Sequence, residues 1–377
     1  MKGSFADILK NLAEKEATRM DAKVPQWASV PGIIWPSRLS AEQCSSSDTA
    51  LRKARIAAGL AGPQGRVADL TGGLGVDSWA FCQAGCQVLY NERDEALFQA
   101  ARHNFPLLGM PDVIFSNREL RPGGAAALLD GFKPDLIYLD PARRGASGKK
   151  VFLLEDCSPD ITALKDELLA ICPRIMLKLS PMADAAMVCS RLGCVREVCI
   201  IGAEGECKEL LCILEKGFSG EPKTILDNGG GRLEFFPSEE RACCAIFPES
   251  GKNYGWLFVP GSAAMKAGAF KLMSRKFGMA KLAPSTHLYF CEAPDTDAAP
   301  FGKYWPVSDI RPLNSAEMKR TGKEYPKCGV TARNIPMDSS VLRKKMGCAE
   351  GGEAHIFGVE IAWGDAPAGR YLIISNS

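Results

Sequence analysis

The chain has 377 residues, of which 46% are hydrophobic and 24% charged, with a net charge of +2. This composition is typical of a folded protein of two or three domains, and it excludes disordered, collagenous and uniformly polybasic chains. Residues 251–377 contain 17 lysines and arginines against 11 acidic residues, a balance of +6 that leaves −4 for residues 1–250. We therefore expect any nucleic-acid partner to meet a local patch in the C-terminal part.

Metal, membrane and secretion signals are absent from the sequence. No C-x-x-C pair occurs among the 15 cysteines, and the three histidines, His103, His287 and His355, lie far apart. The N-terminus lacks the apolar core of a signal peptide, and no apolar run approaches the roughly 18 residues of a membrane span. We therefore expect a cytoplasmic chain with reduced cysteines and without a metal or membrane partner.

The first 62 residues predict a helical segment. Ser4 precedes apolar residues at helical spacing, which predicts a capped amphipathic helix at the start of the chain. A second helix is predicted at Thr49–Leu60. We assign residues 1–62 to an N-terminal helical segment.

Short apolar strands then alternate with helix-length segments. The predicted strands are Arg66–Leu70, Gln87–Asn91, Val113–Ser116, Asp135–Asp140, Ile175–Leu179, Val195–Gly202 and Glu209–Leu214. This alternation predicts an α/β domain at residues 63–217 with a mostly parallel, doubly wound sheet. Only Ala203–Lys208 joins the last two strands, which predicts a terminal antiparallel hairpin at the edge of the sheet.

Two small C-terminal α+β modules are predicted, at residues 218–300 and 301–377. The boundaries come from the turn-forming stretch Asp227–Gly231 and the linker Pro294–Pro300. Predicted elements are strands at Cys244–Phe247, Trp256–Val259, Gly329–Arg333 and Ala354–Ile361, and helices at Ala263–Phe277 and Ser340–Met346.

A glycine-rich turn at Val67–Asp77 joins the first strand of the sheet to a helix. Such a turn lets the backbone approach a ligand, although a tight turn without a ligand is the alternative. Asp69 precedes the glycines, where a carboxylate repels a pyrophosphate but suits a cationic amine. Glu92 ends the next strand, where an acid can accept hydrogen bonds from ribose hydroxyls. Nicotinamide and S-adenosylmethionine (SAM) sites would both use Glu92, but Asp69 favours SAM over a nicotinamide cofactor.

The fourth strand ends in Asp140-Pro141. Ligands of doubly wound sheets bind outside the carboxyl ends of the strands, so Asp140 is expected to face the cleft. The alternative is an Asp-Pro turn that only ends the strand.

These motifs resemble, in order and place, those of class I SAM-dependent methyltransferases. The stretch Leu39–Ala50 is similar to the Glu-Gln and hydroxyl segment that some nucleic-acid base methyltransferases fold over SAM. The resemblance implies a Rossmann-like sheet, SAM as the cofactor and an exocyclic amine of a base as the methyl acceptor. It implies SAM binding by Gln43, Ser45, Asp69, Thr71, Gly73, Gly75, Glu92 and Asn117, and catalysis by Asp140, Pro141 and Arg143.

Nearly the whole chain resembles bacterial SAM-dependent methyltransferases with a C-terminal THUMP-like domain. The matching stretches are Gly205–Leu211, Met265–Phe270, Thr331–Pro336 and Leu342–Lys345. The resemblance implies a ferredoxin-like module at residues 218–300, a THUMP-like domain at 301–377, and RNA as the partner.

One departure concerns the acceptor site. Amino-directed methyltransferases usually place Pro and an aromatic residue after Asp/Asn-Pro, whereas this chain has Ala142 and Arg143. Base stacking would then come from the Arg143 guanidinium or from another aromatic residue. Cys207 is the candidate nucleophile for a competing cysteine route, with inert packing as its alternative.

Eight lysines and arginines cluster in the tail of the chain. Such a cluster could neutralise the phosphates of a nucleic acid, although a charged face that contacts only water is the alternative. Its members are Lys319, Arg320, Lys323, Lys327, Arg333, Arg343, Lys344 and Lys345. Two other functions stay open: a SAM- or RNA-binding protein without catalysis, and a methyltransferase acting on a small molecule or protein.

Overall fold

The computed structural model describes residues 22–143 and 154–376. The helix predicted from Ser4 lies outside the described residues, and of Arg143 only the backbone is described. The chain divides into two compact units. The first runs to Cys199 and includes Glu209–Pro222, and the second combines Ile200–Lys208 with the chain from Lys223 onward.

Three helices open the described part of the first unit: α1 (Pro25–Ala28), α2 (Arg38–Gln43) and α3 (Ser47–Ala61). The helix predicted at Thr49–Leu60 is confirmed as the longer α3. It begins after Ser46, whose Oγ accepts a hydrogen bond from Thr49 N at 3.3 Å, and ends at Gly62 with a φ of +85°.

The central sheet of the first unit confirms the predicted α/β fold. Its strands are β1 (Arg66–Asp69), β2 (Gln87–Asn91), β3 (Ile114–Ser116), β4 (Leu136–Leu139), β7 (Arg174–Leu179), β8 (Val195–Ala203) and β9 (Glu206–Glu215), with the short β5 (Ala142–Arg143) and β6 (Cys157–Ser158) paired separately. The seven longer strands run in the order β3-β2-β1-β4-β7-β9-β8. The first five are parallel, and β9 is antiparallel to β7. All four residues of β4 are buried, as expected for a central strand covered on both faces.

Helices follow the strands of this sheet: α4 (Val76–Gln83), α5 (Glu95–Leu107), α6 (Ala125–Leu129), α7 (Ile161–Ile171) and α8 (Ala185–Leu192). Asp94, Asp160 and Asp184 cap α5, α7 and α8 by accepting backbone N–H groups of the first turn. These caps explain why each helix begins directly after its loop.

The predicted β8–β9 hairpin is present, with Glu204 and Gly205 at positive φ in its turn. The sheet does not end there, because β10 (Lys223–Asp227) follows β8 and β11 (Arg232–Phe235) follows β10. The expectation that the hairpin forms the edge was therefore wrong. Neither β10 nor β11 was predicted, since their short sequences lie beside turn-forming glycines.

A second, four-stranded sheet in the C-terminal unit has the order β13-β14-β12-β15. Its region contains α9 (Pro237–Ala242), β12 (Trp256–Pro260), α10 (Ser262–Ala267), α11 (Phe270–Lys276), β13 (Ala280–Ala283), β14 (Thr286–Cys291) and β15 (Gly302–Pro306). The single helix predicted at Ala263–Phe277 is two helices, because Gly268 adopts a φ of +77° and ends the first. The strand predicted at Cys244–Phe247 is wrong: only Ile246 forms a bridge, to Ala280.

A third sheet has the order β16-β19-β18-β17. Its elements are β16 (Asp309–Pro312), α12 (Ser315–Glu324), β17 (Lys327–Arg333), α13 (Ser339–Met346), β18 (Ala349–Ile361) and β19 (Gly369–Asn376). Met318 of α12 and Leu342 of α13 belong to one buried cluster with Ile356 and Ile374 of the sheet. Both helices therefore pack on this sheet, and the predicted strands and helix of the tail are confirmed.

Within the part of the chain that the structure describes, no helix is long and apolar enough to cross a membrane, and no group of three or more metal-ligating side chains is found. All fifteen cysteines are free thiols.

Candidate active site

The glycine-rich turn depends on its glycines for steric reasons. Gly72 N donates to Asn91 O at 2.8 Å, and a Cβ at Gly72 would lie 2.1 Å from the Tyr90 ring. Gly75 has a φ of +94°, and a Cβ there would lie 2.5 Å from the Phe105 ring. Side chains at these positions would push the turn away from the ends of β1 and β2.

Asp69 lies beneath this turn and is fully buried. Its carboxyl oxygens accept hydrogen bonds from Thr71 N at 3.2 Å and Ser78 Oγ at 2.6 Å. Burial raises the pKa of Asp69 to about 8. Asp69 therefore shapes the turn from below, and its contact with a cofactor stays a prediction.

Glu92 lies against the same turn from the end of β2. Its carboxylate accepts hydrogen bonds from Gly73 N and Asp94 N, both at 2.8 Å. Asn117, exposed after β3, donates to Glu92 O at 2.6 Å. The ends of three neighbouring strands thus bring an acid, a glycine backbone and an amide together.

Asp140 and Lys178 form an ion pair at the ends of β4 and β7. The register pairs Leu139 with Leu177, so the next residues along the two strands are these two. Lys178 Nζ lies 2.7 Å from Asp140 Oδ2, and Asp140 N donates to Thr71 Oγ1 at 2.6 Å. Asp140 Oδ1 receives no hydrogen bond from any residue that the structure describes. One oxygen of Asp140 is therefore held by Lys178, and the other has no partner within the described chain.

The charge state of Lys178 follows from its neighbours. Burial disfavours its charged form, but the carboxylates of Asp140 and Glu209 outweigh burial and raise the pKa of Lys178 above its usual range. Lys178 is therefore an ammonium at neutral pH. It can donate hydrogen bonds but cannot act as a base.

Lys53 is the centre of a buried polar cluster next to this pair. The side chain of Lys53 is 0% exposed, and its Nζ lies 2.9 Å from Asp77 Oδ1 and 2.7 Å from Glu209 Oε2. It also donates to Ser45 Oγ at 2.6 Å. Three chain segments, namely the N-terminal helices, the helix after the glycine turn and the hairpin, are joined through this one ammonium.

Asp77 is ionised within this cluster. Burial opposes its ionisation, but Lys53 and Lys178 outweigh burial and hold the pKa of Asp77 below its usual range. Tyr138 OH donates to Asp77 Oδ2 at 2.8 Å. The connected site thus contains two ammonium groups and three carboxylates, an excess of one negative charge that suits a cationic ligand.

The predicted site residues are only partly brought together. Ser45, Thr71, Gly73, Glu92 and Asp140 lie in the two connected groups just described. Gln43 is exposed at the end of α2 and Pro141 is half-buried after β4, while the side chain of Arg143 lies outside the described residues. Cys207 is half-buried, and its backbone N donates to Ser262 Oγ at 2.7 Å.

Sequence reasoning overlooked several residues of the site: Lys53, Asp77, Tyr138, Lys178 and Glu209. A signal for two of them was available. Lys178 interrupts an apolar strand, and Lys53 lies among alanines on the buried face of α3. A charged residue in an apolar pattern needs a buried partner, which the sequence alone does not identify.

The predicted RNA-binding cations lie in the third sheet's region and its two helices. Arg343 is half-buried and the other seven are exposed. Arg320 pairs with Glu317 and Arg343 with Glu350. Among the described residues, the remaining cations form no ion pair: Lys319, Lys323, Lys327, Arg333, Lys344 and Lys345. Their charges are therefore not neutralised within the described chain.

Two family models match the C-terminal part of the chain. One, described as a ferredoxin-like domain, matches residues 256–297. The other, described as THUMP domain-like, matches residues 302–375. A comparison with curated proteins gives no match.

One solved structure is similar to this chain over nearly its whole length. A candidate methyltransferase from Porphyromonas gingivalis W83 is 32% identical, with 96% of this chain and 88% of that chain covered and a TM-score of 0.79. More distant are a candidate RNA methyltransferase from Pyrococcus horikoshii (13% identity, 54% and 98% covered, TM-score 0.36) and a Pyrococcus abyssi tRNA (uracil-54, C5)-methyltransferase (16%, 45% and 39%, TM-score 0.32). These two are too dissimilar to support an argument. The chain joins a class I methyltransferase fold to ferredoxin-like and THUMP domain-like regions, and it belongs to the family of the P. gingivalis protein.

Proposed function

We propose that this protein is a SAM-dependent methyltransferase that methylates an exocyclic amine of a base in RNA. The observation that most supports this proposal is the Asp140–Lys178 pair at the strand ends, 2.7 Å apart and beside Thr71 of the glycine turn. It puts a hydrogen-bond acceptor for an amine where ligands of this fold bind.

The residues present fit SAM. Its ammonium and sulfonium are cationic, and the connected charges of the site have an excess of one carboxylate. A Cβ at Gly73 would meet no atom within 4 Å, so the turn there is open. Ser45, Gly73 and Glu92 would hold SAM, with Asn117 near its adenine. When bound, SAM supplies an electrophilic methyl group with a good leaving group.

Methyl transfer to the target amine requires correct orientation of that amine more than acid–base catalysis. Asp140 Oδ1 would accept a hydrogen bond from the target amine and direct its lone pair. Lys178 keeps Asp140 in one rotamer by holding Oδ2. Because Lys178 is protonated, the amine's proton would leave to Asp140 or to water and not to the lysine.

RNA as the partner is supported by two features. The THUMP domain-like match covers residues 302–375, and all six cations that form no ion pair with a described residue lie within that range. Exposed lysines and arginines that lack internal partners can neutralise phosphates.

Transfer of radiolabelled methyl from SAM to RNA, DNA, protein and small-molecule fractions of cells lacking the gene would test this function. We expect label in RNA only, reduced at least ~100-fold by Asp140→Ala, with SAM binding retained in calorimetry. Asp166→Ala, which removes a carboxylate of 91% exposure, is the matched control and should transfer methyl normally.

Other outcomes would select the alternatives. SAM binding without label in any fraction would indicate a binding protein without catalysis. Label in protein or small molecules would replace RNA as the substrate, and full activity of Asp140→Ala would end the catalytic assignment.

A further inference from the structure

The C-terminal unit contains a pocket of its own, of about 250 Å³. It is lined by Val259, Pro260, Met265, Ser285, His287, Leu288, Arg333 and Asn334. The first six belong to the ferredoxin-like match and the last two to the THUMP domain-like match. The pocket is therefore built jointly by these two regions of one unit.

His287 forms a fixed, neutral ring in this pocket. It stacks on Phe270 with ring centroids 3.6 Å apart and an interplanar angle of 16°. Burial, Lys281 and Arg333 lower the pKa of His287 to about 4, so the imidazole is neutral at pH 7. Its Nδ1 is buried without a hydrogen-bond partner among the described residues. Because buried N–H groups without acceptors are rare, the ring proton belongs on Nε2, which makes that atom a donor.

The rest of the lining combines apolar walls with a cationic rim. Val259, Pro260, Met265 and Leu288 are apolar, and none of the eight residues is acidic. Arg333 is exposed and forms no ion pair with any described residue. Asn334, at a φ of +56°, donates to Thr286 Oγ1 at 3.2 Å and Glu360 Oε1 at 3.1 Å. These bonds fix the backbone next to Arg333 at the pocket mouth.

We propose that this pocket binds one unpaired nucleotide of the RNA substrate, with its base against the apolar walls and its phosphate at Arg333. A pocket of this size is smaller than those of drug-sized ligands or cofactors and suits a single base. Unstacked bases bind aromatic rings and expose polar edges to a donor such as His287, whereas arginine pairs with phosphate. This role depends on the proposed function, because it requires RNA as the substrate.

The three histidines of the chain make the pocket directly observable. In the ¹⁵N-histidine-labelled full chain, each imidazole gives separate signals, which His→Gln variants assign. Titration with a single-stranded RNA heptamer should shift His287 saturably and leave His103 unchanged. The blunt duplex of the same heptamer should not shift His287, because its bases are stacked inside the helix. An unmoved His287 while the heptamer binds would overturn the proposal.

Two substitutions at the exposed Ser285 test occupancy without changing charge. Ser285→Leu narrows the pocket and should weaken heptamer binding about tenfold in fluorescence anisotropy, whereas Ser285→Ala leaves the pocket open and should bind like the wild type. Equal binding by both variants would contradict the proposal. If the wild-type chain binds neither RNA form, the RNA part of the proposed function fails and this role with it. Heptamer binding without a pocket effect refutes the pocket alone.

Discussion

The candidate site of the first unit and the exposed cations of the second use charged side chains in opposite ways. In the first unit, Lys53 is buried and Lys178 is half-buried, and each lies within 3 Å of a carboxylate. In the second, lysines such as Lys319 and Lys344 are exposed and have no ion-pair partner among the described residues. Buried pairs fix geometry because breaking them leaves a charge in a medium of low polarity, whereas exposed cations leave their charge available to an external polyanion.

The largest effect is expected from removing the centre of the buried cluster. Lys53→Met would remove the nearer of the two cations beside Asp77 and Glu209, since Lys178 Nζ lies 3.7 Å from Glu209 Oε1. We expect a loss of about 3–5 kcal/mol in the free energy of unfolding. Denaturant titration followed by tryptophan fluorescence measures it. Arg38→Met removes an exposed pair with Glu42 and should cost less than ~1 kcal/mol. Similar losses for both variants would remove the contrast between buried and exposed ion pairs.

Substitutions of Lys178 test whether this residue orients Asp140 or only stabilises the fold. Under the proposed function, Lys178→Met should lower kcat about 100-fold, while Lys178→Arg retains part of the activity and both still bind SAM. The loss should appear in kcat and leave the Kd of SAM unchanged, because Lys178 holds Asp140 Oδ2 and acts through this residue. A parallel loss of SAM binding, or an unchanged kcat, would mean that Lys178 is only structural. Lys133→Met, at an exposed position, is the control.

Asp69 should make the stability of the first unit depend on pH. Its pKa is about 8 in the folded chain and near the ordinary aspartate value when unfolded, so the folded state binds more protons between these values. Its contribution to the free energy of unfolding is therefore complete below pH 4 and is lost as the pH rises through 8. Asp69→Asn should be less sensitive to pH over this window, because the amide does not titrate. Parallel pH curves for the two proteins would contradict this.

The smallest expected change concerns the exposed cations. Replacing Lys319, Lys323 and Lys344 by alanine should weaken RNA binding about tenfold and lower the slope of log K against log salt by about 2, without loss of stability. The control removes the same charge from cations that are paired with Glu206, Glu234 and Glu292, namely Lys208, Lys223 and Lys252. Equal effects of the two triple variants would show that net charge alone attracts RNA.

Local patterns in the sequence were sufficient for the order of elements in the first unit. Strand–helix alternation predicted the parallel sheet, and the position of Asp140 after its strand predicted which end of the sheet it occupies. A prediction from local patterns was wrong where the conformation of a single residue ended an element. Gly268 adopts a left-handed conformation and divides a predicted helix into two. The boundaries assigned to the domains stay predictions.

By itself, the sequence determined the fold class, the glycine turn and the strand ends that bear Glu92 and Asp140, because each depends on residues close together in the chain. Only the tertiary structure decided the partners of these residues. Lys178 meets Asp140 through the β4–β7 register, and Lys53 meets Glu209 across 156 positions of sequence. Pairings of this kind depend on strand register and helix packing, which a single sequence specifies only through the whole fold.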